Sequence, residues 1–243
     1  MVQYFAQRIK KIVLIPKTSN RITELDFFRG IALILMVYFH LIWSMSEIYG
    51  YSVVYSFWAN FYIGKISAIL FILISGIVYA LGNFKRKRFL LLTTIALGIS
   101  GITYIYNNEY FIRFGIIHFF ALSSLLAVVF KNSNKYVLLV LWIVVIWAWS
   151  WIGNIPVNED YFSFIWIIST WFQSTDFYPL IPRFGVYLLG MGISKMFYTK
   201  KKNIFWTIFN VWPINFVGRN TLLIYIIHQP IIILVLYIVH LLR

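Results

Sequence analysis

The 243-residue chain contains no cysteine, and it has only seven acidic residues against 21 lysines and arginines. The absence of cysteine excludes disulfides, thiolate nucleophiles and thiolate metal ligands. No His-x-x-x-His or Glu-x-x-His pair is present either, so the histidines and acids lack the spacing of a zinc site. We therefore predict a protein that works without a bound metal.

Charged residues of either sign are also scarce. They make up 12% of the chain, whereas 61% of it is hydrophobic and 21% aromatic. A soluble domain is about 45–50% apolar and about 25% charged. The composition therefore predicts an all-α, polytopic membrane helix bundle.

Seven segments are long and apolar enough to cross a bilayer, namely about 27–46, 60–82, 89–106, 113–130, 136–152, 179–198 and 219–241. They leave little chain for a soluble module, so we expect one transmembrane domain over residues 1–243. Within it, residues 21–243 form the bundle, and residues 1–20 form a basic segment at the membrane interface.

The net charge of +14 is distributed by loop. With seven spans, the basic clusters at 8–21, 85–88, 131–135 and 200–202 all fall on one side, which the positive-inside rule makes cytoplasmic. The C-terminus then lies outside, as do five of the seven acids, Glu47, Glu109, Glu159, Asp160 and Asp176. The charge thus indicates topology in the cell membrane, and we expect no nucleic-acid partner. The basic surface could face anionic lipid or dock a phosphate-rich cofactor.

Two connecting segments have a composition of their own. The apolar run 161–171, in the outer loop 153–178, is too short to span and is predicted to be interfacial or re-entrant. Segment 203–218 is aromatic and amphipathic, which predicts a helix in the inner interface.

The first span carries the strongest chemical signal. Arg29 and His40 are eleven residues apart, a helical rise of about 16 Å and a rotation about 20° from three full turns. Both side chains therefore share one stripe, with Asp26 on the same side and His40 near the middle of the membrane. An ionisable group at that depth indicates a functional site. Alternatively, Thr23 and Asp26 form a capping box, with Arg29 as the partner of Asp26.

Two other histidines lie within predicted spans. His228 and Gln229 precede Pro230, so they could line a site or satisfy the carbonyl that the proline leaves free. His118 follows Arg113 by five residues, about 140° around a helix, so the two cannot face one cavity without distortion. Arg183 lies near an outer end and could simply reach water.

Five blocks occur in an order that resembles the heparan-alpha-glucosaminide N-acetyltransferase catalytic-domain family and its small prokaryotic relatives. Together they cover about residues 21–235. The opening residues of the five blocks are, in order, Glu24-Leu-Asp26-Phe-Phe-Arg29-Gly30, Leu70-Phe71-Ile-Leu-Ile-Ser75-Gly76, Ile112-Arg113-Phe114-Gly115-Ile-Ile-His118, Asp176-Phe-Tyr178-Pro179 and Phe216-Val-Gly218-Arg219-Asn220. One departure is that the lysosomal members carry Asn where this chain has His40. They also carry a histidine in the first outer loop, whereas loop 47–59 has none.

The resemblance implies transfer of an acyl group, commonly acetyl from acetyl-CoA, to a hydroxyl or amine of a sugar-containing or lipid acceptor. On this basis His40 is expected to act as general base, with His118, His228 and Asp26 completing the catalytic group. Arg29, Arg86 and Arg88 are expected to bind cofactor phosphates, and Arg113, Asp176, Arg183 and Gln229 the acceptor.

Two other classes of function stay open at this stage. Mid-membrane histidines and a proline-broken last helix also suit a proton-coupled transporter, although no internal repeat is visible and seven spans do not divide into halves. A noncatalytic membrane partner would use the histidines as packing contacts. The oligomeric state is equally open, and a homodimer is one option.

Overall fold

A computed structural model describes residues 22–107, 110–153, 155–200, 202–204 and 209–242. This part of the chain is helical, as predicted, with one isolated bridge between Phe114 and Phe177. The helices are α1 (Thr23–Glu47), α2 (Trp58–Leu81), α3 (Arg86–Tyr106), α4 (Ile116–Phe130), α5 (Lys135–Ile152), α6 (Leu180–Phe197), α7 (Trp212–Arg219) and α8 (Thr221–Leu241). The predicted interfacial segment 1–20 lies outside the described residues.

Five of these helices, α1, α2, α3, α5 and α8, are long and apolar enough to cross a membrane. A helix suits this setting because it satisfies its backbone polar groups internally. Large apolar side chains on α3 and α5 are exposed, including Ile102, Ile105, Val144 and Trp147. The protein is therefore a multi-pass membrane protein. Helices α4 and α6 occur where the fourth and sixth predicted spans are expected, but α4 has only 15 residues. The count of seven spans therefore stays a prediction.

The predicted boundaries need two corrections near the site. Helix α4 begins at Ile116 rather than at 113, because the preceding backbone pairs with the chain before α6, where the Tyr178 N–H donates to the Phe114 carbonyl at 2.8 Å. Arg113 thus precedes the helix, and the helical-wheel separation of Arg113 from His118 does not apply. The last span begins at Thr221, after the separate helix α7.

The two connecting segments also differ from expectation. Residues 161–171 contain only a single 3₁₀ turn, Ser163–Ile165, followed by Trp166 in a left-handed conformation. The amphipathic helix expected over 203–218 is confined to α7, which starts at Trp212 with Pro213 in its first turn. Proline suits that position because its missing N–H has no helical partner there.

Each end of the bundle is tied by contacts between segments distant in sequence. One end of the bundle, which we call the basic end, contains the helix termini Thr23, Leu81, Arg86, Phe130, Lys135, Phe197 and Thr221. We call the opposite end the acidic end. At the basic end, Lys131 Nζ donates to the Gly82 carbonyl at 2.7 Å and Lys195 Nζ donates to the Lys131 carbonyl at 2.5 Å. At the acidic end, the Tyr49 hydroxyl donates to the Ile233 carbonyl at 2.9 Å.

Helix α2 packs along both α1 and α6, and α1 also contacts α7 and α8. The crossing of α2 with α6 is close because glycine occupies both sides of it. A Cβ atom on Gly76 would lie 2.1 Å from the Tyr187 carbonyl oxygen, and one on Gly190 would lie 2.2 Å from that of Leu73. Small residues at helix crossings allow this approach in membranes, and the crossing brings Tyr187 to the wall of the cavity described next.

Candidate active site

A cavity of about 790 Å³ runs through the bundle between the two ends. Its volume lies within the range of about 300–1,000 Å³ that is typical of small-molecule sites. The lining is mainly apolar and comes from α1 to α6 and α8, together with the segments that precede α3 and α6. Charged and polar side chains concentrate at the two ends of the cavity, and His40 lies between them.

The basic end of the cavity is lined by three cations, Arg29, Lys85 and Arg88. Two tyrosines, Tyr79 and Tyr187, line the same region with ring centroids 5.9 Å apart. The Tyr79 hydroxyl is buried and has no hydrogen-bond partner among the residues that the structure describes. This end therefore combines positive charge with an unsatisfied hydroxyl, which suits an anionic ligand.

His40 and His228 meet between α1 and α8, with ring centroids 5.0 Å apart in an edge-on arrangement. His40 lines the cavity, whereas His228 is buried behind it. His228 Nδ1 lies 2.5 Å from the Tyr225 carbonyl, which can only accept, so Nδ1 carries the proton. Its Nε2 is then an acceptor, and it is buried without a partner in the described part of the chain.

Gln229 and Ser44 extend this polar group toward the acidic end. The Gln229 side-chain amide donates to the Ser44 hydroxyl at 3.0 Å, and Ser44 is fully buried. Gln229 thus joins α8 to α1 beside the histidines. The contact ties the two helices that carry His40 and His228, and the predicted contact of Gln229 with the acceptor stays a prediction.

Asp26 is 3% exposed and pairs with Arg219, whose Nε lies 3.4 Å from Oδ2. The capping box expected from Thr23 and Asp26 is absent, because the helix is capped by Ile22 without a side-chain hydrogen bond. Helix α7 reaches Asp26 through Gly218, where a Cβ would lie 1.7 Å from the Asp26 carbonyl oxygen. Asp26 therefore anchors α7 beneath the cavity, next to Arg29 on the same helix.

At the acidic end, Asp176 accepts a hydrogen bond from the Ile116 N–H at 3.1 Å and so caps α4. Its approach requires Gly115, since a Cβ there would lie 2.5 Å from Asp176 Oδ2. The Tyr225 hydroxyl bonds to the same carboxyl group. Burial raises the pKa of Asp176 to about 6, although the Ile116 N–H, the Arg183 guanidinium and Tyr225 each act in the opposite direction.

Arg183 lines the cavity beside Asp176. Its guanidinium carbon lies 4.7 Å from the ring centroid of Tyr178 and 5.5 Å from that of Trp166. Arg183 Nη1 is buried without a hydrogen-bond partner among the described residues. Lys65 lines the same half of the cavity, with its ammonium 4.1 Å from the Phe61 ring.

The cavity brings together Arg29, His40, Arg88, Asp176 and Arg183, whereas other predicted site residues lie elsewhere. Arg86 is exposed beside Arg88. Arg113 is exposed and pairs with Asp160 at 3.4 Å. His118 has both ring nitrogens in contacts, since the Gly115 N–H donates to Nδ1 at 3.2 Å and Nε2 lies 3.1 Å from the Ser100 hydroxyl. Their predicted roles in binding and catalysis stay predictions.

Sequence reasoning missed several lining residues, namely Lys65, Tyr79, Lys85, Trp166, Tyr178, Tyr187 and Tyr225. Signals were present for several of them. Lys85 opens the basic run that includes Arg86 and Arg88, and Lys65 is a cation near the end of a predicted span. Trp166 lies in the outer loop 153–178, and Tyr178 and Tyr225 fall in the family blocks. Tyr79 and Tyr187 could not be separated from the many other aromatic residues of this chain, which make up 21% of it.

The bundle and its two-ended cavity define a multi-pass membrane protein with an internal cavity of small-molecule size. Comparison with protein-family models matches residues 21–230 to "Heparan-alpha-glucosaminide N-acetyltransferase, catalytic". The chain belongs to this family, and so to a family of membrane acetyltransferases, as its sequence blocks predicted. Comparisons with curated proteins and with solved structures gave no match.

Proposed function

We propose that this protein transfers an acetyl group from acetyl-CoA, bound at the basic end, to an amine or hydroxyl of a sugar-containing or lipid acceptor bound at the acidic end. The observation that carries the proposal is the single cavity that connects Arg29, Lys85 and Arg88 with His40 and Asp176. Family membership supports the reaction class, and the two polar ends of the cavity support separate sites for donor and acceptor.

The donor end suits CoA for electrostatic reasons. Arg29 and Arg88 offer forked guanidinium donors that match phosphate oxygens, and Lys85 adds a third positive charge. His40 lies eleven residues beyond Arg29, about 16 Å of helical rise. An extended pantetheine arm can cover such a distance, so phosphates held at the basic end would leave the thioester near His40.

His40 is the general base of this proposal. It takes a proton from the acceptor nitrogen or oxygen while that atom attacks the thioester carbonyl carbon. The carbon–sulfur bond then breaks, the CoA thiolate takes up a proton, and acetylated acceptor and CoA leave. A positioned histidine is the commonest general base in enzymes, and such catalysis contributes about 10²–10⁴ in rate.

His228 is proposed to assist His40 rather than to touch the substrate. Its Nε2 is an unpartnered acceptor, and its ring lies 5.0 Å from that of His40. His228 can therefore orient the neighbouring ring or share the proton that His40 receives. We propose direct transfer rather than an acyl-enzyme, because the chain has no cysteine and no serine with the sequence pattern of an activated nucleophile.

The proposed orientation in the cell membrane places the basic end in the cytoplasm, as the positive-inside rule favours. Acetyl-CoA would then enter from inside, and the acceptor would be modified at the opposite face. The chain would in this way move an acetyl group across the membrane while CoA stays on its own side.

The first experiment is calorimetric titration of the purified protein with acetyl-CoA, using Arg88→Gln, Lys87→Gln and His40→Gln. Lys87 is the matched control, because it is an exposed cation next to Arg88 that does not line the cavity. Arg88→Gln should weaken binding about tenfold, the size of a lost charged hydrogen bond. Lys87→Gln and His40→Gln should bind as the wild type does.

Two results would contradict the proposal. Absence of acetyl-CoA binding by well-folded wild-type protein would remove the donor site. Equal losses in Arg88→Gln and Lys87→Gln would show that the cavity plays no part and that general surface charge attracts CoA.

A further inference from the structure

The acidic half of the cavity contains an arginine whose hydrogen-bonding capacity is unused. Arg183 Nη1 is buried and has no partner among the described residues. An arginine has five N–H donors, and a buried donor left unsatisfied costs about 1–3 kcal/mol. A group of this kind is consistent with a ligand that completes it.

The surroundings of Arg183 hold its guanidinium in place through ring faces. Tyr178 and Trp166 both lie within cation–π distance, at 4.7 and 5.5 Å. Trp166 has a φ of 81°, which is an outlier for a bulky side chain. Strained residues persist where the surrounding structure holds them, and they cluster at functional sites. The Trp166 ring is further fixed by edge-on contact with Trp149 at 5.9 Å.

The nearest carboxyl group, that of Asp176, forms its hydrogen bonds with residues other than Arg183. The Asp176 carboxyl group accepts from the Ile116 N–H and bonds to Tyr225. No Arg183–carboxylate ion pair within 4.0 Å occurs in the described ranges. Lys65 adds a second positive charge to the same half of the cavity.

We propose that the acceptor carries an anionic group, a carboxylate or phosphate, which Arg183 binds while Trp166 and Tyr178 pack against the attached ring or chain. This inference rests on the proposed function, since it names the class of acceptor for that reaction. The anionic group could belong to a soluble glycan or to a lipid headgroup, and the two sources share the same contact with Arg183.

The test measures binding without acetyl-CoA. Protein in neutral detergent is titrated by calorimetry with glucuronate, glucose 1-phosphate and uncharged glucose at constant ionic strength. A parallel arm follows retention of phosphatidylglycerol against phosphatidylcholine by native mass spectrometry. The variants are Arg183→Gln, Arg183→Lys and the control Lys135→Gln, which removes a cation that also lies over a ring, that of Tyr136 at 5.1 Å.

We expect one anionic class to bind at least about tenfold more tightly than its neutral counterpart, and Arg183→Gln to remove that difference. Arg183→Lys should keep part of it, since the charge remains but the fork is lost. Preference for the sugar anions identifies a glycan, and preference for phosphatidylglycerol identifies a lipid. Lys135→Gln should match the wild type.

The inference is overturned if neither anion class is preferred, or if the preference survives in Arg183→Gln. Should Arg183→Gln fail to fold, Arg183→Lys gives the decision through the same comparison. Acetyl-CoA binding, measured on the same preparations, separates the two proposals. If the wild type does not bind acetyl-CoA, only the proposed donor site is contradicted. If it binds acetyl-CoA but shows no preference for an anionic ligand, only the anionic acceptor is contradicted.

Discussion

At the scale of single residues, His40 is the side chain on which the proposed chemistry depends. Replacing it with glutamine removes the base and retains a polar side chain of similar length. We expect His40→Gln to lower the rate of acetyl transfer by about 10²–10⁴ while acetyl-CoA affinity is unchanged. Turnover and calorimetry on one preparation measure both quantities.

The matched control for His40 is His240, an exposed histidine at the far end of α8 that does not line the cavity. His240→Gln should leave the rate unchanged. A rate in His40→Gln within twofold of the wild type would assign His40 a packing role instead. His228→Gln should give a smaller loss and a changed pH–rate profile, because it acts through the His40 ring.

We expect Asp176 to make the proposed anion binding depend on pH. Its pKa is about 6, so the carboxyl group is charged at pH 7.5 and neutral at pH 5. The neutral form no longer repels an anion held by Arg183. We therefore expect the affinity for the preferred anion to rise as the pH falls through 6, as measured by calorimetry at pH 5, 6 and 7.5.

The control for this dependence is Asp176→Asn, which keeps an oxygen for the Ile116 N–H but does not titrate. The affinity of this variant for the anion should not change with pH, which separates the effect of Asp176 from those of His40, His118 and the cations Lys65 and Arg183 around the site.

The Asp176 carboxyl group also makes the stability of the fold depend on pH. The unfolded carboxyl has a pKa near 3.8, so stability from the neutral folded form should be lost as the pH rises from about 4 to 6.

At the scale of helices, the crossing of α2 with α6 sets the width of the cavity. Gly76→Ala would place a methyl group 2.1 Å from the Tyr187 carbonyl oxygen, and such overpacking costs about 1–3 kcal/mol. We expect a lower melting temperature in detergent and weaker acetyl-CoA binding, because Tyr187 lines the donor end.

Gly98 in α3 is the matched control, since a Cβ there has no atom within 4 Å. Gly98→Ala should be neutral or stabilising by up to about 1 kcal/mol, because alanine is the better helix former. Equal melting temperatures for the two variants would mean that α2 and α6 can separate without cost.

The elements were largely predictable, and their long-range pairing was not. The Arg29 to His40 spacing is a local helical period, and both residues line the cavity. The His40 pair with His228 and the Asp26 pair with Arg219 join positions near opposite ends of the sequence. Local periodicity contains no information on such contacts. The predicted start of α4 is wrong for the same reason, since pairing of Phe114 with Phe177 before α6 keeps Arg113 outside the helix.

At the scale of the whole molecule, the open question is whether α4 and α6 cross the membrane. Lys131, just after α4, donates to the Gly82 carbonyl just after α2, so both helices end at the basic end. With seven crossings, positions 87 and 132 share a side and position 171 lies opposite. With only the five long helices crossing, position 132 would lie opposite position 87, and position 171 would share its side.

The absence of cysteine makes this a clean labelling experiment. We expect Lys87→Cys and Asn132→Cys to react with a membrane-impermeant maleimide only after cells are opened, and Trp171→Cys to react in intact cells. All three side chains are exposed in the structure. The reverse pattern for Asn132→Cys and Trp171→Cys would establish five crossings. The acceptor end would then lie on the same side as the basic loops, and transfer across the membrane would no longer follow from the cavity.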